Sequence, residues 1–312
     1  MTFYLIPSEE SSVAVPWTVD RQGQQVMGVE NSERIARIVS GLRAGGGTTL
    51  SCSAGDGLRA ERIVSTIHGK RYLDYLQRSD GQDDDQGTVS AGFAAPGLAQ
   101  DTPLVPGAWH MARAAAAATV RAAELAVQDG VNTYAVVRPP GHHAGPTWHG
   151  GYCFINNAVV AARTLQQEGL STVAIVDIDY HLGNGTYACV AGDASIRYFS
   201  LHSNRSIDFP YRFPDDPGVL GISADPAPDR YLALLARVLS ILHDLRPDAL
   251  VISIGYDILR GDPHGSWSLL PEVFNSIGAA LADEGLPTVF VQEGGYCRVR
   301  LFDRYQYFLI SG

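Results

Sequence analysis

Four short apolar runs set the frame of this chain, and each one ends in polar residues. Tyr134-Ala-Val-Val137 leads into Arg138-Pro-Pro-Gly-His-His143, and Thr172-Val-Ala-Ile-Val176 into Asp177-Ile-Asp-Tyr-His181. Ala249-Leu-Val-Ile-Ser-Ile254 leads into Gly255-Tyr-Asp257, and Thr288-Val-Phe-Val-Gln292 into Glu293-Gly-Gly-Tyr296. Uninterrupted apolar runs of this length predict strands buried on both faces, as in parallel sheets. Helical spacing separates them, over Asn156 to Glu168, Asp229 to Leu245 and Pro271 to Glu284. Upstream, helices are predicted over Asn31 to Leu42, Ala60 to Gln77 and the alanine-rich Trp109 to Gln128, which stops at Asp129-Gly130. Between the last two lies Ser79 to Pro106, rich in Gly, Asp, Pro and Gln, a long loop.

Strand, helix, strand in series predicts right-handed crossovers, and so an α/β fold: one domain over residues 1–312, with a mostly parallel central β-sheet flanked by helices. Ligands of such sheets bind beyond the carboxyl ends of the strands, where all four polar clusters fall.

Composition narrows the class without changing this picture. Hydrophobic residues at 46%, charged residues at 18% and a mean hydropathy of −0.01 describe an ordinary globular chain rather than a disordered or membrane-resident one. The net charge of −10 has the wrong sign for holding phosphate backbones, so nucleic acid is not expected as a partner. No run reaches the length of a membrane span and no export signal opens the chain, so a cytoplasmic location is expected. The four cysteines are scattered, with no C-x-x-C pair, and read as reduced thiols.

The strand-end residues suggest a chemistry. Asp179 and His181 are two apart, so on an extended strand end they leave on the same side, and Asp257 from another strand completes three ligands. Two carboxylates and an imidazole suit Zn2+ or Fe2+ and leave a coordination position open for water or substrate. His142-His143 offers a general base, and Tyr296 an O–H donor for an oxyanion. Together they describe metal-assisted amide hydrolysis.

At these residues the chain resembles the histone deacetylase family, of the arginase-deacetylase fold, and in particular its bacterial acetylpolyamine amidohydrolase-like branch. The resemblance is carried by Arg138-Pro-Pro-Gly-His-His-Ala144, Gly150-Gly-Tyr-Cys-Phe-Ile-Asn-Asn157, Val176-Asp-Ile-Asp-Tyr-His181, Gly183-Asn-Gly-Thr186, Phe199-Ser-Leu-His202, Gly255-Tyr-Asp257 with Gly261-Asp-Pro263, and Glu293-Gly-Gly-Tyr296. It implies Asp179, His181 and Asp257 as metal ligands, His142 paired with Asp177, His143 paired with Asn184, and Tyr296 as the transition-state tyrosine. Because Asn184 is no carboxylate, His143 is expected to stay neutral and act as base, with His142 cationic. The resemblance further implies Gly151, Tyr152 and Phe209 lining an acyl-amine channel, Asp101 as a rim carboxylate, and a structural K+ held by oxygens of Asp177, Asp179, His181, Ser200 and Leu201. The implied substrate is a small N-acetylated amine of the acetylpolyamine kind, with protein acetyl-lysine as the alternative. The long loop would make a natural homodimer contact.

Departures from the pattern are also visible. Leu182 stands where the family usually has a second histidine, which raises a third reading, a member that binds a metabolite without turnover. Asp215 to Asp229 is short, and Val13 to Met27 lacks a histidine-rich opening loop. Among the other histidines, His68 and His243 read as surface or satisfied core residues, His202 as a neighbour of the site at most, and His110, His149 and His264 carry no comparable support. Asp83-Asp84-Asp85 reads as a solvated loop and Cys153 as a small packing residue.

Overall fold

The computed structural model describes residues 4–7, 17–19, 25–27, 29–79, 92–95, 102–204 and 216–296. In chain order its elements are β1 (Tyr4–Pro7), β2 (Trp17–Val19), β3 (Gln25–Met27), α1 (Ser32–Ala44), β4 (Thr48–Thr49), α2 (Ala54–Ile67), α3 (Lys70–Ser79), α4 (Ala108–Gln128), β5 (Thr133–Val136) and α5 (Asn157–Gln167). These are followed by β6 (Val173–Asp177), α6 (Asn184–Val190), β7 (Ile196–Ser203), β8 (Val219–Ile222), α7 (Pro228–Leu245), β9 (Ala249–Ile254), α8 (Val273–Ala282) and β10 (Thr288–Gln292).

The four apolar runs become β5, β6, β9 and β10, and they are neighbours. The main sheet has the order β4-β1-β5-β10-β9-β6-β7-β8, every pairing parallel, with a separate β2-β3 hairpin. Gln292 lies opposite Ile254 and Asp177 opposite Ser253, so the central strands end level and their polar tails emerge side by side.

Alternate residues of each strand enter opposite apolar layers. Tyr134, Val136, Ala174, Val176, Leu250 and Ile252 pack with side chains of α1, α7 and α8. Ala135, Val137, Val173, Ile175, Val251, Val289 and Val291 pack against α4 and α5, whose alanines fill that layer. A third cluster joins the outer side of α4 to α2 and α3. Both faces of the sheet are thus covered, which is why the strands read as unbroken apolar runs.

Two expectations are corrected. The single helix over Ala60 to Gln77 is two, α2 and α3, because His68 is extended (φ −108°, ψ 139°) and serves as a bridge. Its Nδ1–H donates to Gly145 O at 2.8 Å and its Nε2 accepts from Asn156 N at 3.1 Å. The sheet also has strands that the apolar pattern did not mark: β1, the two-residue β4, β7 and β8. β7 escaped because Ser200, His202 and Ser203 are all buried in it.

The His68 bridge uses the neutral ring, and burial lowers its pKa to about 4 from an ordinary 6.5. The unfolded chain therefore binds a proton that the native chain refuses between those values. The stabilisation is whole above pH 6.5 and is lost as the pH falls toward 4, by at most ~1.4 kcal/mol per pH unit. His68→Gln is expected to flatten the pH dependence of the urea midpoint between pH 6.5 and 5, and an unchanged slope would contradict this.

Candidate metal centre and active site

β6 and β9 end at Asp177 and Ile254, and the residues just beyond them converge. Asp179, His181 and Asp257 bring one ligand atom each to within 4.8 Å of one another, the only such group among the described residues. His181 Nδ1 faces both carboxylates, 3.2 Å from Asp179 Oδ1 and 3.0 Å from Asp257 Oδ2. Main-chain amides tie down other oxygens: Gly294 N donates to Asp179 Oδ2 at 2.9 Å, and Tyr180 N to Asp257 Oδ1 at 2.9 Å. The amides can come this close because the neighbours are glycines. A Cβ on Gly255 would stand 2.0 Å from Asp179 Oδ2, and one on Gly294 2.7 Å from the same oxygen.

The electrostatics of this trio favour a cation. Burial and the charge of Asp179 push the Asp257 carboxyl up to about 7. Against the cost of burial, hydrogen bonds to Asp179 and Asp257 raise His181 to about 10. Two buried carboxylates thus draw positive charge to the point where Nδ1 meets them. With hard oxygens and one imidazole, that donor set fits a divalent ion with an open position.

The tandem histidines lie beside it in the loop after β5, rings 4.0 Å apart. His142 Nδ1 is 3.1 Å from Asp177 Oδ2, and its Nε2 is 3.8 Å from Asp179 Oδ1. Although burial opposes it, the charges of Asp179 and Asp177 raise His142 to about 10. His143 Nδ1 is 2.7 Å from Asn184 Oδ1, so the amide oxygen keeps the ring proton on Nδ1 and leaves the lone pair on Nε2. Burial, with His142 and His181 nearby, holds His143 well below its ordinary pKa. Tyr198, which sequence reasoning passed over, orients this pair from β7: its O–H donates to Asp177 Oδ2 at 2.9 Å while accepting from Gly183 N at 3.0 Å.

Glu293 and Arg34 are further residues whose roles the motifs did not reveal. Glu293 is fully buried, and its Oε2 accepts from Gly141 N (2.7 Å) and His142 N (3.0 Å), while Oε1 accepts from Ser253 Oγ (3.2 Å). It fastens the histidine loop of β5 to the Gly-Gly-Tyr loop of β10. Asn31 caps α1 by accepting from Arg34 N at 3.2 Å, and that first turn delivers the Arg34 guanidinium to Gly295 O (2.6 Å), Gly294 O (2.9 Å) and Glu293 O. The same guanidinium stands over the Tyr296 ring, 5.0 Å from its centroid.

Tyr296 is buried, and burial raises its pKa well above the usual range, so the phenol keeps its proton. Tyr152 stands at 5.4 Å from it, edge-on at 71°. Gly151 (φ +57°) lies against His143, where a Cβ would come within 2.2 Å of Cδ2, a contact and a backbone conformation that call for glycine. His264, unsupported in the sequence, joins this group: its ring is 5.3 Å from Tyr296 and 5.9 Å from Tyr152, and its Nε2 is 3.4 Å from the Tyr152 hydroxyl. Nothing in its spacing could have shown this, since the contact depends on the turn after Asp257.

Asp101 and Phe209 fall outside the described residues. Ser200 and Leu201 lie on β7, Ser200 in register with Asp177 of β6. Leu182 is buried in the apolar layer with the α4 and α5 alanines, so the position is occupied as part of the core. The short segment after 215 supplies the edge strand β8. His68 is a satisfied core residue, and His243 is exposed. His202 is buried, its Nδ1 2.9 Å from Ser200 Oγ.

The chain is similar to known proteins over most of its length. A protein described as acetylpolyamine amidohydrolase 1, from Pseudomonas aeruginosa, is 31% identical over 266 residues, covering 74% of this chain and 76% of its own. An acetylpolyamine amidohydrolase of Burkholderia pseudomallei is 32% identical over 95% of this chain and 94% of its own. The crystal structure of an acetylpolyamine aminohydrolase from Burkholderia pseudomallei superposes with a TM-score of 0.87 at 27% identity, over 99% of this chain and 97% of that one. The histone deacetylase domain matches residues 28–309, and the chain belongs to the histone deacetylase family.

Proposed function

We propose that this chain is a metal-dependent deacetylase that hydrolyses the N-acetyl amide of small amines of the acetylpolyamine class. The observation that carries the reading is the convergence, at one end of the sheet, of a neutral imidazole, a buried phenol and an Asp-His-Asp trio. The substrate class is supported by the names of relatives that align along most of their length.

Asp179, His181 and Asp257 would hold the divalent ion, Zn2+ in our reading and Fe2+ by the same donor set. Bound there, it supplies Lewis acidity toward the acyl oxygen and lowers the pKa of a water toward ~7. His143 takes the proton of the attacking water at Nε2, the nitrogen that Asn184 leaves free of hydrogen. The cationic His142, held by Asp177, stabilises negative charge as the carbonyl becomes tetrahedral. Tyr296 donates its O–H to the acyl oxygen as that charge grows. The imidazolium of His143 then returns the proton to the leaving amine nitrogen, so acetate and a free amine depart.

Gly151, Tyr152 and Phe209 are proposed to line the channel and Asp101 to grip the amine at the rim. Ser200 and Leu201, with Asp177, Asp179 and His181, are proposed to hold K+. No helix among the described residues is long and apolar enough to cross a membrane, and a cytoplasmic location is part of the proposal.

The test is acetate and amine release from N-acetylputrescine by the metal-loaded protein. One-for-one release that stops with a chelator and returns with Zn2+ is expected. Metal-loaded protein that binds the compound without releasing acetate would instead support the reading of a binding member.

A further inference from the structure

Tyr296 follows two glycines, and Gly295 is at φ +106°, so the local chain restrains the tyrosine backbone weakly. The restraint comes from elsewhere. Tyr296 N donates to Asp262 Oδ2 at 2.6 Å, and the other oxygen of that carboxylate, Oδ1, accepts from His264 N at 2.9 Å. Asp262 is buried and belongs to the turn that follows the ligand Asp257. That turn folds back on the ligand: a Cβ on Gly265 would stand 1.9 Å from Asp257 O.

One carboxylate therefore joins the backbone of the oxyanion donor to that of His264. The side chains of these two residues, with Tyr152, form a group of three rings, each edge-on to the others at 70–82°. Charge-assisted N–H···O⁻ bonds are shorter and about twice as strong as neutral ones, so the carboxylate holds the Tyr296 amide as Arg34 holds the glycine carbonyls before it.

We propose that Asp262 is a positioning residue for deacetylation, setting the Tyr296 phenol through its bond to the Tyr296 main-chain amide. This rests on the assignment of Tyr296 as oxyanion donor. Asp262 touches no reacting atom, and acts only through the tyrosine.

The test is a double-mutant cycle of Asp262→Ala and Tyr296→Phe in the metal-loaded full chain, with metal content, kcat and KM measured on N-acetylputrescine and its trifluoroacetyl analogue. A misplaced donor costs on the order of 10–100-fold, so Asp262→Ala is expected to lower kcat by about that factor with metal content unchanged. The loss is expected to shrink on the trifluoroacetyl amide, whose carbonyl needs less polarisation. In the Tyr296→Phe background Asp262→Ala should cost no more than ~2-fold, because the group it positions is gone. Asp262→Asn keeps one acceptor oxygen and should recover part of kcat, and it carries the same cycle if the alanine variant does not fold. Wild-type kcat in Asp262→Ala, or the same fold-loss with and without the phenol, would overturn the inference. Wild-type kcat in Tyr296→Phe alone is a different result, which overturns the tyrosine assignment and this inference with it.

Discussion

Replacing His143 by Ala is expected to lower kcat on an N-acetyl amine by ~10²–10⁴-fold while the divalent ion stays bound. Nδ1 of the ring is engaged by Asn184, and the ring is not among the three proposed ligands, its centroid lying 5.9 Å from that of His181. Its removal takes away the proposed base without dismantling the trio proposed to hold the ion. The neighbouring His142 differs in its partner, since its Nδ1 faces the Asp177 carboxylate at 3.1 Å, which favours the protonated ring. Elemental analysis of the variant beside a steady-state assay checks both halves. A loss below ~10-fold, smaller than general bases contribute, would move the base role elsewhere.

Tyr296→Phe is expected to cost ~10²–10³ in kcat, the effect of removing one preorganised oxyanion donor. The phenol is buried, edge-on to Tyr152 and His264 and beneath the Arg34 guanidinium, so phenylalanine keeps the packing and loses only the O–H. Burial keeps that O–H protonated, so its loss should lower the whole pH profile without moving its limbs. Because the donor acts on charge that develops in the transition state, kcat and kcat/KM should fall together. A rise in KM at unchanged kcat would show that the tyrosine serves ground-state binding alone.

The central sheet was legible because parallel strands covered on both faces have no polar side to confuse the pattern. β9 and β10 coincide with the apolar runs Ala249 to Ile254 and Thr288 to Gln292. β7 was hidden by its buried Ser200, His202 and Ser203, polar residues that belong to the neighbourhood of the site rather than to a hydrophobic layer. The break at His68 was hidden because its cause, Gly145 O and Asn156 N, lies on a loop more than seventy residues away.

The same distinction separates the site residues. Asp179, His181 and Asp257, the proposed ligands, could be grouped from the sequence because a metal needs particular side chains at strand ends. Glu293, Arg34 and Asp262 could not, because each acts on main-chain N–H or C=O groups, which every residue type presents alike. His264 became visible only when the turn after Asp257 laid its ring against Tyr152 and Tyr296.

The class of substrate is read from kcat/KM of the metal-loaded protein on acetylated putrescine, cadaverine and spermidine beside an acetyl-lysine peptide, with Tyr296→Phe as control. Turnover of the free acetylpolyamines in preference to the peptide is expected, and its loss in the variant. Preference for the peptide, or silence on every amide with the ion bound, would contradict it.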